Sequence, residues 1–127
     1  MDYQQLPEWN EQFFSFVKQH LGEDAMRLRL KKHTSTDFSL ELAITQIEAR
    51  SRRLEKKIPD WYAHERVVFP SLLSTEQCSS QETAMYKQRL VKGSSLCDLT
   101  GGLGVDSWSF SKRASQVMYC EMLPELC

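Results

Sequence analysis

Apolar residues recur at three- and four-residue steps over residues 8–20, where Trp9, Phe13, Phe14 and Val17 share one face. That period predicts an amphipathic helix, and Gly22 is a plausible stop for it. Over Asp24–Lys32 the pattern is mixed: Met26, Leu28 and Leu30 alternate as in a strand, but the residues are good helix formers. A short helix is expected there. "HTSTD" reads as a loop, with Asp37 as a natural N-cap. Phe38–Lys57 carries the strongest helical period of this half. Leu40, Ile44, Ile47 and Leu54 fall on one face with Ala43 beside them, and Arg50, Arg53 and Lys57 lie largely opposite. Pro59 ends that helix, and Trp61 and Tyr62 are expected to pack back on it.

Residues 63–73 read as extended, with "VVFPSLL" as their apolar part. "STEQ" and "SSQE" follow, and both fit capping boxes, Ser74 with Gln77 and Ser79 with Glu82. They predict a short turn of helix and then a longer one over about 80–91, ended by Gly93. The pattern then changes. Leu96–Leu99 is a short apolar strand, "TGGLG" a turn, Val105–Arg113 a helix, and Gln116–Cys120 a second strand that ends at Glu121. Strand, glycine turn, helix and strand make the opening unit of a doubly wound α/β fold. The expected fold class is therefore α/β: a mostly helical region over 1–73, then the first β-α-β unit of a Rossmann-like domain over 74–127. Two parallel strands and one helix cannot cover both faces of a sheet, so the chain reads as an amino-terminal fragment of a longer protein.

Composition narrows the function classes. A formal charge of −1 gives no global field to attract nucleic acid or anionic membrane, so such contacts need a local patch. The polar, acidic start lacks the basic and apolar regions of a secretory signal, and no apolar run approaches the ~20 residues of a spanning helix. Cys78, Cys97, Cys120 and Cys127 form no C-x-x-C, and His20, His33 and His64 form no ligand pair. Reduced, buried thiols, no metal site and a cytoplasmic location are expected.

The glycine turn carries the chemistry. A chain leaving a strand and entering a helix this tightly needs the freedom of glycine, and the free amides at the helix start can face a polar or anionic group. Glu121 lies at the end of the second strand, where a carboxylate can accept both hydroxyls of a ribose. A dinucleotide fingerprint starting at Gly102 and Gly104 would require a glycine or alanine where Ser107 stands. Asp98, at the tip of the first strand, would also repel a pyrophosphate. A cationic ligand without phosphate tolerates it. S-adenosylmethionine, with a sulfonium and an amino group, is such a ligand.

"DLTGGLGVD" followed by "VMYCE" resembles the nucleotide-binding opening of class I S-adenosylmethionine-dependent methyltransferases. Thr100 replaces the first glycine of the usual pattern, as in RNA methyltransferase branches with a D-x-T/F-x-G-x-G form. "QIEARSRRLEKKIPDWYA" and "LSTEQCSSQETAMYKQRL" extend the resemblance over roughly residues 24–127. They look like the amino-terminal part of bacterial predicted RNA methyltransferases with a THUMP-like domain at the carboxyl end. The resemblance implies that Asp98, Thr100, Gly101, Gly102 and Gly104 line the methionine half of the cofactor. Asp106 would cap the next helix or reach the cofactor, Glu121 would hold the ribose, and Met122 would lie against the adenine. Ser79, Ser80 and Thr83 would close over the cofactor, although capping explains them equally well. The Asn/Asp-Pro-Pro-aromatic loop that serves amino-group acceptors in that family is absent from this sequence. No catalytic residue is assigned, and residues 1–127 alone are expected to be inactive.

RNA is the expected substrate partner. Arg27, Arg29, Lys31 and Lys32 form one basic cluster, and Arg50, Arg52, Arg53, Lys56 and Lys57 another. Either can meet phosphates or form a solvated face paired with Glu48 and Glu55. Two rival readings stand beside the methyltransferase: an NAD-type nucleotide-binding domain, and a non-enzymatic helical adaptor for RNA or protein whose glycine turn is structural.

Overall fold

The computed structural model describes residues 9–33, 36–50 and 52–126. Helix α1 (Glu11–Gln19) starts where the Asn10 side chain accepts the Phe13 N–H at 2.9 Å, and it turns Phe13 and Val17 inward. Helix α2 (Ala25–Leu30) is capped by Asp24, which accepts the Arg27 N–H at 2.8 Å. The alternating Met26, Leu28 and Leu30 do not share a face on this helix. Leu28 is buried while Met26 and Leu30 are exposed.

The expected long helix over Phe38–Lys57 is broken. Helix α3 (Leu40–Ala49) begins at Ser39, not Asp37, with the Ser39 hydroxyl accepting the Leu42 N–H at 3.3 Å. It stops at Arg50, whose ψ of 47° leaves the helical region. Helix α4 (Arg52–Lys57) follows, then α5 (Pro59–Ala63) with proline in its first turn. The break has a tertiary cause. Arg50 was expected on the polar face, but it is buried. Its guanidinium donates to the carbonyls of Tyr62, His64, Glu65 and Val67 at 3.0, 2.8, 3.2 and 2.5 Å. Buried Gln46 grips the same segment further along. Its Nε2 donates to the Phe69 carbonyl and its Oε1 accepts the Phe69 N–H, both at 2.7 Å. Irregular backbone packed inside a protein needs such partners.

Helix α6 (Leu72–Gln77) is capped by Ser71 and helix α7 (Gln81–Leu90) by Ser80. The capping boxes predicted at Ser74 and Ser79 do not form: the N-caps are Ser71 and Ser80, and the residues three positions on, Ser74 and Thr83, are not the Glu or Gln that a box needs. Strands β1 (Ser95–Asp98) and β2 (Gln116–Tyr119) pair in parallel, from Ser95 opposite Gln116 to Asp98 opposite Tyr119. Helix α8 (Val105–Ser111) connects them and packs on α7 and on both strands. A 3-10 turn (Pro124–Leu126) follows β2.

Two apolar clusters hold these elements. One joins Phe13, Val17, Leu28, Ala43, Ile44 and Ile47. The other joins Ala49, Leu54, Ile58 and Phe69 to Ala84 of α7 and Val105 of α8. The helical region thus shares a core with the β-α-β unit. On the other face of the sheet, Met118 and Cys97 are exposed, so the expectation of buried thiols does not hold for Cys97.

Candidate cofactor site at the glycine turn

Between β1 and α8 the backbone makes two left-handed residues, Gly102 at φ 53° and Gly104 at φ 89°. These positions explain two of the glycines directly. Gly101 has a different reason. A Cβ placed on it would lie 2.1 Å from the Tyr119 ring. The aromatic side chain at the end of β2 therefore lies flush against the turn. Its hydroxyl sits 2.5 Å from the Gly102 carbonyl oxygen and 3.1 Å from that of Leu126. The Gly101 N–H donates to the Cys120 carbonyl at 2.8 Å, extending the sheet into the turn. Tyr119 is a site residue that sequence reasoning missed. A strand-end aromatic beside a glycine turn was the available signal.

Two carboxylates hold the turn in shape. Asp98 accepts the Thr100 N–H at 3.2 Å through Oδ1 and the hydroxyl of buried Ser107 at 2.6 Å through Oδ2. Ser107, which departs from the dinucleotide fingerprint, is the first-turn anchor for Asp98. Glu121 accepts the Gly102 N–H at 2.7 Å through Oε2, and the N–H groups of Met122 and Leu123 at 2.8 and 2.9 Å through Oε1. The amides of Leu123, Gly102 and Met122 hold its carboxyl below the usual carboxylate range.

Asp106, in the first turn of α8, is tied back to the segment before α7. Its Oδ2 lies 2.8 Å from both the Ser79 hydroxyl and Lys87 Nζ, and Lys87 also donates to Ser79 Oγ at 2.9 Å. Its Oδ1 is buried with no hydrogen-bond partner, the one such side-chain atom among the described residues. A buried carboxylate oxygen left unpaired is costly and marks a place for a donor.

These groups surround a cavity of about 160 Å³, walled by Ser74, Gln77, Cys78, Ser79, the turn from Thr100 to Asp106, and Leu126. Of the expected residues, Ser79, Thr100, Gly101, Gly102, Gly104 and Asp106 meet on its wall. Asp98 and Glu121 brace the turn from outside that wall. Met122 is exposed, and Thr83 is an exposed first-turn residue of α7 whose N–H bonds Ser80 Oγ at 3.1 Å. Burial pushes the Cys78 thiol up. Trp61 of α5 reaches the turn from the helical region: its ring packs edge-on against Trp108 at 5.8 Å and comes within 3.9 Å of where a Gly104 Cβ would sit. A wider groove of about 700 Å³ lies among α2, α3 and α5. Its Arg29 is already paired with Glu41 and Glu48, at 2.9 and 3.3 Å.

Among the described residues no three of His, Cys, Asp or Glu come together as metal ligands, and no helix is long and apolar enough to cross a membrane. No protein-family model and no curated protein matches the chain. A solved structure does: the crystal structure of a "putative methyltransferase" from Porphyromonas gingivalis W83 is 31% identical, with a TM-score of 0.75 over 94% of this chain. This is a methyltransferase relationship. The chain spans 31% of the length of that protein.

Proposed function

We propose that the glycine turn is part of an S-adenosylmethionine site of a Rossmann-like methyltransferase of the bacterial, THUMP-associated kind, and that RNA is its substrate. The carrying observation is the buried, unpartnered Asp106 Oδ1 beside a cavity walled by glycine backbone. Three carboxylates, Asp98, Asp106 and Glu121, crowd this turn, and Lys87 balances one of them. Such a surround disfavours the pyrophosphate of a dinucleotide and favours an ammonium donor. When bound, the cofactor supplies a methyl group made electrophilic by its sulfonium.

The chain's own residues bind and orient. Asp106 Oδ1 would accept from the cofactor's amino group, Gly101, Gly102 and Gly104 would let backbone approach closely, and Ser79 and Lys87 fix the Asp106 carboxylate through its other oxygen. Glu121, at the end of β2, would hold the ribose, and Met122 beside it would supply apolar surface for the adenine. Holding donor and acceptor in line is the main demand of this transfer, and none of these side chains is needed as a base. The two strands among the described residues leave such a sheet with open edges, and this reading expects no methyl transfer from residues 1–127 alone.

The test is calorimetric titration of the full-length protein with S-adenosylhomocysteine, which keeps the amino group. Asp106→Asn preserves the volume and removes the charge. It is expected to weaken binding about 10- to 100-fold, the worth of one charge-assisted hydrogen bond, with little change in melting temperature. Binding of NADH in place of S-adenosylhomocysteine, or equal affinity in the variant, would overturn the assignment.

A further inference from the structure

Several of the basic residues near the helical core are committed internally. Arg50 is buried on carbonyls, Arg29 and Lys31 are paired with carboxylates, and Lys57 Nζ donates to the carbonyls of Thr75 and Glu76 at 2.9 and 2.6 Å. Lys56 and Arg89 differ. Both are exposed, and neither has an ion-pair or hydrogen-bond partner among the described residues. They come from different helices, α4 and α7, and the fold brings them onto one groove of about 390 Å³. Lys57 adds a third positive charge there, and Glu82 is the one carboxylate on its wall. Met85 and Tyr86 form its apolar part, with Tyr86 61% exposed. The groove also includes Ser80, next in sequence to Ser79 of the cofactor cavity, so the two sites adjoin at the start of α7.

We propose that this groove docks single-stranded RNA, with phosphates at Lys56 and Arg89 and a base stacked on Tyr86. A net positive groove carrying an exposed aromatic ring is the combination that single strands use. A duplex hides its base faces and would leave Tyr86 idle. An acidic protein segment would use the cations but gain little from the ring. The position, one residue from the cofactor cavity, suits a strand delivered to a methyl donor. The inference rests on the RNA-methyltransferase reading but is read out without the cofactor.

The experiment is fluorescence anisotropy of the full-length protein with a labelled oligouridylate of about 12 nucleotides, within the site sizes of such grooves. Affinity is followed between about 50 and 200 mM salt. Tyr86→Ala is expected to weaken binding about 5- to 150-fold, the loss of one base stack, and Tyr86→Phe to retain it. Lys56→Ala with Arg89→Ala is expected to reduce the salt slope by about 1.4, two phosphate contacts on a single strand. Lys18→Ala, an exposed cation on α1, is expected to change neither. Unchanged affinity and slope in the Tyr86 and Lys56/Arg89 variants would overturn the proposal. So would displacement of the RNA by an acidic peptide whose own binding needs Lys56 and Arg89 but not Tyr86. If S-adenosylhomocysteine still binds in either of those cases, the groove assignment fails and the cofactor site stands.

Discussion

Arg50 and Asp106 are both ionic groups drawn inward, one among the helices and one beside the glycine turn, and their partners differ in kind. Arg50 meets four backbone carbonyls and, among the described residues, has no carboxylate within ion-pair distance. Its work is to pin a loop of irregular backbone, as Gln46 does a few residues on. Asp106 meets two side chains through one oxygen and nothing through the other. A polar group whose valences are used up by the chain's own backbone is doing architecture. One that keeps an oxygen buried and unpaired carries a cost that a ligand can relieve. The same fold therefore sets a region that is closed on itself beside one that keeps a buried carboxylate oxygen unpaired.

The sharpest way to break that distinction is to remove Arg50. Arg50→Ala strands four carbonyls, and the expected loss is about 3 kcal/mol or more of unfolding free energy in urea. The ligand affinity of the folded protein is expected to stay as it was. A loss below about 1 kcal/mol would mean that water replaces the guanidinium and that the loop is not pinned by it. Gly101→Ala comes next. Its methyl group would meet the Tyr119 ring, which is held by its hydroxyl and has little room to yield. Overpacking of this kind costs about 1–3 kcal/mol. Thermal unfolding of Gly101→Ala, Tyr119→Leu and the double variant checks the contact. The double variant is expected to lose less than the sum of the two singles, because the clash disappears with the ring. Simple additivity would show that Gly101 is required by something other than Tyr119.

How far the sequence could be read follows from which forces act locally. Helix α1 is legible because its apolar period is also its buried face, at Phe13 and Val17. The strands and α8 are legible from the glycine turn between them, since α8 buries Val105 with Ser107 and Ser109 rather than an apolar stripe. The break at Arg50 is invisible to periodicity, since Ile47 and Leu54 continue the stripe across it. It is set by carbonyls 12–17 residues further on. The caps moved from Asp37 to Ser39 and from Ser79 to Ser80 because several capping residues stand together, and packing chooses among them. At the site, the resemblance named six residues that the fold brings to one cavity wall: Ser79, Thr100, Gly101, Gly102, Gly104 and Asp106. It did not tell which carboxylates brace the turn and which one is left with an open oxygen, because that depends on the first turn of α8 and on Lys87 reaching in from α7. Tyr119 went unread for the same reason: its role exists only once the turn has folded over it.

The bracing carboxylates offer the gentlest test, through pH. Glu121 bonds three backbone N–H groups in the folded chain, which lowers its folded pKa below that of the unfolded chain. Its contribution to stability is therefore fully present above the ordinary glutamate pKa. It is lost as pH falls through the lowered folded value, where the unfolded state binds the proton first. Urea unfolding between about pH 6 and pH 3 is expected to show stability falling with acid, and Glu121→Gln to fall less steeply over the same window. The side-chain carbonyl of glutamine can still accept from Gly102 or from the Met122–Leu123 pair, but not from both. The variant should thus be slightly less stable than the parent at neutral pH and converge with it in acid. Parallel curves throughout would mean that the Glu121 clasp is not held in the free protein, leaving its carboxylate open to a ribose without a competing bond to break.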